Sequence, residues 1–65
     1  MSETELLEID IKDIKNGMNN LEEAINNLSD IEEFEDEDYN YLQDLIEKLR
    51  DIRIDKENKL EILEG

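Results

Sequence analysis

Carboxylates are the one reactive group that this chain carries in quantity. Twenty-one Asp and Glu stand against seven Lys and Arg, with no His and no Cys, giving a net charge of −14 over 65 residues. Paired carboxylates do acid–base work only where a pocket drives one pKa away from the other. Two Ser and one Thr have no imidazole to activate them, and the glycines (Gly17 and Gly65) form no phosphate-cradling loop. Thiolate and imidazole metal sites lack their ligands, and a di-iron Glu-x-x-His motif cannot be written without His. The composition therefore points to binding, with no cofactor, and away from catalysis.

Two kinds of carboxylate chemistry remain. The first is calcium. Residues 36–47 (DEDYNYLQDLIE) place oxygen-bearing side chains at positions one, three, five, nine and twelve of a twelve-residue stretch. This resembles the EF-hand loop, and the resemblance implies Asp36, Asp38, Asn40 and Asp44 as ligands with Glu47 as the bidentate closer. The sequence departs from that pattern at Tyr41, where the sharp turn wants glycine, and at Gln43, where an apolar residue is usual.

The second is mimicry of a phosphate backbone. Carboxylates four apart on a helix are separated by about 6 Å of rise, near the phosphate spacing along a strand. Glu33–Glu37, Glu47–Asp51, Asp51–Asp55 and Glu57–Glu61 have this spacing. Each like-charge pair costs a helix a few tenths of a kcal/mol, so the repetition does not serve helix stability. Such a surface could occupy a basic nucleic-acid groove and collect the electrostatic affinity that the nucleic acid would have gained. In size and charge the chain is similar to phage-encoded inhibitors of restriction, CRISPR or DNA-repair enzymes.

The acids are unevenly spread. The first forty residues hold fourteen of them against only Lys12 and Lys15, and seven fall within residues 29–38 (SDIEEFEDED). Asp30, Glu32, Glu33, Glu35, Asp36, Glu37 and Asp38, with Phe34, Tyr39 and Tyr41 as apolar anchors, form the candidate surface for a basic protein partner. The same field repels nucleic acid and anionic membrane. Five of the seven cations (Lys48, Arg50, Arg53, Lys56, Lys59) follow residue 40, spread around a helix instead of along one stripe, which argues against direct nucleic-acid binding. Asp44–Lys48 and Asp55–Lys59 read as ordinary i,i+4 support.

What must position these groups is helical. Leu7, Ile11, Ile14, Met18, Leu21, Ile25 and Leu28 alternate at spacings of four and three, the seam of a left-handed coiled-coil contact. Ser2 with Glu5 reads as a capping box, so helix one is expected over about residues 3–28. Asn16-Gly17 is a turn signal, yet the stripe keeps its phase across it. Gly17 is therefore read as a tolerated glycine or a kink. Residues 29–38 form an acidic link, with Ser29 and Glu32 as a further capping pair. Helix two is expected over about residues 39–63, with Leu42, Leu45, Leu49 and Ile52 on its seam, joined by Ile46, Leu60 and Leu63. Arg53 and Lys56 fall on that stripe and must snorkel. Alternation at residues 52–54 and 60–62 leaves a terminal β-hairpin as the minor reading.

The expected fold is all-α, a two-helix antiparallel hairpin forming a single domain. A chain this small buries only about 60% of its unfolded surface and commonly needs a staple. Without Cys, that staple is assembly, and a dimeric helical bundle is expected. Leu6, Ile9, Phe34, Tyr39, Tyr41, Ile54 and Ile62 find no place in the seam, which hints at a second contact surface. Residues 1–13 lack the basic start and apolar core of a signal peptide, so a cytoplasmic location is expected. The wealth of Ile, Asn, Lys, Glu and Asp suggests an AT-rich bacterial or phage source. The runner-up function is a coiled-coil adaptor subunit whose acidity only keeps it soluble.

Overall fold

Two stripes of apolar residues, neither able to reach water favourably, dictate a helix pair. The computed structural model describes residues 2–65, leaving Met1 outside. It contains helix α1 (Glu3–Leu28) and helix α2 (Asp36–Glu64), packed antiparallel along their length as an all-α hairpin. The rod measures 49 × 16 × 14 Å. No strand occurs among the described residues, so residues 51–63 are helix and the β-hairpin reading is overturned.

Ser2, in extended conformation, starts α1 by accepting a hydrogen bond at Oγ from the Glu5 backbone N–H at 3.2 Å. The Glu5 carboxylate does not return to the Ser2 backbone; it takes the Ser2 hydroxyl proton instead, at 3.3 Å. Helix α1 then runs unbroken through Gly17, which has no left-handed backbone angle. Neither a corner nor a special conformation explains that glycine.

The link is shorter than expected. Ser29 closes α1, its N–H donating to Ile25 O at 3.0 Å and its hydroxyl to Asn26 O at 2.7 Å. Ser29 is thus a C-terminal residue of α1 and does not cap a turn with Glu32. Two tight turns follow, Ile31 N–H to Leu28 O and Phe34 N–H to Ile31 O. Helix α2 begins at Asp36, three residues early, because Glu35 is extended and its N–H is taken by Asp38 Oδ2 at 3.1 Å. Acids at a helix start also meet the positive end of its dipole.

In the seam, Leu7 and Ile11 are buried at 8% exposure, while Ile14, Met18, Leu21, Ile25 and Leu28 are half-buried. On α2, Leu42, Leu45, Ile46, Leu49 and Leu60 are half-buried and nothing is fully buried. Ile52 was expected in the seam but is 37% exposed, and Leu63 is exposed as well. The unbroken four-three series from Leu42 through Ile46 and Leu49 to Leu60 passes through positions 53 and 56, so Arg53 and Lys56 occupy it. Both snorkel. Arg53 Nε lies 3.2 Å from Glu57 Oε1, an ion pair without hydrogen-bond alignment, and Lys56 Nζ reaches across to Asp10 Oδ2 at 3.0 Å.

Removing seam volume where it is buried should be costly. Ile11→Ala is expected to destabilise the helix pair by about 2–3 kcal/mol, whereas Ile54→Ala, at an exposed position, should stay within about 0.5 kcal/mol. Chemical denaturation followed by circular dichroism measures both, and equal effects would mean that the seam has been placed wrongly.

Candidate functional site

The loop end of the rod gathers the acidic residues through two local causes. Short i→i+3 turns over residues 28–34 hold Asp30, Glu32 and Glu33 on an exposed bend. The early start of α2 then folds Asp36, Glu37 and Asp38 into its first turn. All seven acids of the cluster (Asp30, Glu32, Glu33, Glu35, Asp36, Glu37 and Asp38) are exposed. Asp38 has a structural task, holding the Glu35 N–H. Asp30, Glu32 and Glu33 lie outside both helices and cap neither.

The aromatic residues divide into two groups. Phe34 and Tyr39 pack edge to face, ring centroids 4.6 Å apart and 69° between planes, and both are half-buried. This pair folds the bend back on the first turn of α2. Tyr41 points away at 66% exposure, the most open aromatic ring of the chain. The aromatic anchors anticipated from sequence are therefore one braced pair and one free ring.

Charge compensation is confined to the other half of the hairpin. Among the described residues the ion pairs are Arg53–Glu57, Lys56–Asp10 and Lys59–Asp55. None involves residues 29–38. Exposed pairs of this kind contribute less than about 1 kcal/mol each, but they cancel charge locally. The rod is consequently polarised, anionic at its loop end and partly neutralised toward its open end.

Several carboxylates expected to act together do not. Glu33 precedes α2, so Glu33–Glu37 is not a helical pair. Glu57 and Asp55 are tied to Arg53 and Lys59, which leaves Glu47, Asp51 and Glu61 as the unpaired members of the rows on α2. The EF-hand resemblance does not extend to the backbone. Asp36, Asp38, Asn40, Asp44 and Glu47 all lie within continuous helix, where about 16 Å of rise separates the first from the last. No group of three or more acidic side chains among the described residues converges to hold a metal ion. Among the described residues no helix is long and apolar enough to cross a membrane.

The Asp10–Lys56 bridge was missed from sequence. Lys56 was legible as a stripe position that must reach outward, but its partner depended on the hairpin register, which the shortened link sets.

The cap at the loop end makes a specific prediction. Asp38→Ala should lower stability by about 1 kcal/mol, while Asp38→Asn, which keeps an acceptor, should lose less, and Glu33→Ala should lose nothing. Thermal melts of the three variants check the order, and an Asp38→Ala melt matching the parent would remove the cap from the account.

Comparison with protein-family models, with curated proteins and with solved structures finds no match for this chain.

Proposed function

We propose that this hairpin is a protein-binding module whose anionic loop end docks on the basic surface of a nucleic-acid-handling protein and competes with nucleic acid for it. The observation that carries this reading is the polarisation of charge. Seven exposed carboxylates sit at one end of a 49 Å rod, and every cross-linked cation lies in the other half. A charge assembly of this density opposes folding through self-repulsion, so its retention is better explained by a partner than by the hairpin's own needs. Tyr41 beside it would supply an apolar anchor, and the charges chiefly fast, salt-sensitive association. Such an inhibitor, of the type phages use, would act in the cytoplasm of a bacterium or of an infected host.

A second reading, a coiled-coil adaptor subunit, is favoured by the half-buried seam, which leaves apolar surface for other helices. Salt separates the two. Charge-led docking weakens steeply as ions screen it, whereas seam-led assembly holds or tightens.

Affinity capture from a low-GC bacterial lysate, at low and high salt, tests the proposal. Specific retention of a DNA- or RNA-processing protein is expected at low salt and lost at high salt. It should also be lost in the triple variant Asp30→Asn, Glu32→Gln, Glu33→Gln, which spares the Asp38 cap. Retention of only the chain itself, or of a salt-resistant partner with no nucleic-acid role, would replace the docking reading with the adaptor one.

A further inference from the structure

Seven asparagines occur in the chain, and Asn16 alone is followed by glycine. That pairing has a chemistry of its own. The side-chain carbonyl carbon of an asparagine lies within reach of the next residue's backbone nitrogen, and the next side chain is the main obstacle to their meeting. Glycine has no side chain, and its backbone turns freely.

Nothing in the fold requires glycine here. Gly17 has no left-handed backbone angle, and a Cβ built on it meets nothing within 4 Å. Glycine inside a helix is unfavourable relative to alanine. Asn16 is exposed and stands outside the seam, at a groove shared with Lys12, Lys15 and Asn19.

While α1 is intact, the reacting atoms are kept apart. In an α-helix the Gly17 N–H donates to the carbonyl of Asp13, four residues back, and ψ at Asn16 is held at about −42°. Ring closure needs that nitrogen released and that angle turned out of the helical range. The pair therefore reacts only from an opened chain. Leu7 and Ile11, the buried seam residues, both precede it, whereas Ile14, Met18, Leu21, Ile25 and Leu28, around and beyond it, are half-buried. Segments held by few buried apolar contacts are among the first to open.

We infer that Asn16–Gly17 is a site of spontaneous deamidation, with water as the only co-reactant, and that opening of the helix pair sets its rate. The Gly17 nitrogen bonds to Cγ of Asn16, the Cγ–Nδ2 bond breaks, and ammonia leaves with the proton of the Gly17 N–H. Water then opens the cyclic imide at either carbonyl. Cleavage at Cγ leaves an ordinary aspartate, and cleavage at the main-chain carbonyl leaves isoaspartate, which routes the backbone through the side chain. Both products add a negative charge to a chain already at −14. Isoaspartate also inserts a methylene into the main chain between Ile14 and Met18, which breaks the phase of the seam. The reaction thus commits opened chains to stay open.

Incubation of the full chain at mildly alkaline pH tests this inference, with conversion at each asparagine read by peptide mass spectrometry and isoaspartate-specific methylation. In urea, position 16 should convert at least tenfold faster than the other asparagines, and Gly17→Ala should remove that excess. Without urea the folded parent should convert at position 16 at least tenfold more slowly. Ile11→Ala, which weakens the seam beside the site, should speed the folded reaction at least threefold. The purified isoaspartate form should melt below the parent. No excess at position 16 in urea overturns the site. Equal rates with and without urea overturn control by helix opening, and an unchanged melt overturns the consequence for the fold.

Discussion

Everything in this molecule is built around a conflict between a narrow apolar seam and a net charge of −14. Fully burying one large apolar side chain contributes about 1.5–3 kcal/mol, yet among the described residues only Leu7 and Ile11 are buried. The remaining contacts along α1 and α2 are half-buried, so each delivers a fraction of that gain. Against them stands repulsion among carboxylates that at physiological salt lie within a Debye length of about 8 Å of their sequence neighbours. Two helices can meet along one line and no more, which is why this fold has little apolar gain to set against its charge.

The arrangement of charge follows from that conflict. Cations are concentrated on α2, where Arg53 and Lys56 sit in the seam itself and extend outward to Glu57 and Asp10. Their aliphatic stems cover the contact at these two positions while the charged heads reach its edge. At the loop end the acids are managed by the backbone. The first turn of α2 offers free N–H groups and the positive end of a dipole, and Asp36, Glu37 and Asp38 occupy it. Asp30, Glu32 and Glu33 receive no such compensation, and that imbalance is the physical basis for expecting a basic partner.

The helices were legible because their periodicity was redundant. Seven matches from Leu7 to Leu28 outweighed the turn signal at Asn16-Gly17, and α1 indeed runs from Glu3 to Leu28. Local capping chemistry was less legible, because a serine or aspartate can serve either end of a helix. Ser29 looked like the start of a turn and instead closes α1. Asp38 looked like the end of the link and is the acceptor that starts α2 three residues earlier. Ile52 was placed in the seam by the three-four-three spacing of Leu42, Leu45, Leu49 and Ile52, whereas the packed series runs one position on, through Ile46, Leu49 and Arg53, and leaves Ile52 exposed. At the candidate site, the exposure of the acidic cluster could be read directly from composition. The division of the aromatics into a braced Phe34–Tyr39 pair and a free Tyr41 could not, since it depends on the tight turns before α2.

The most direct test of the central claim is the thermal midpoint of the hairpin, followed by far-ultraviolet circular dichroism at fixed protein concentration across a range of sodium chloride. If repulsion opposes a thin seam, screening must stabilise the fold, and the midpoint should climb steadily from low to high ionic strength. A midpoint that falls with salt would mean that attractive ion pairs hold the helices together, and would contradict the account.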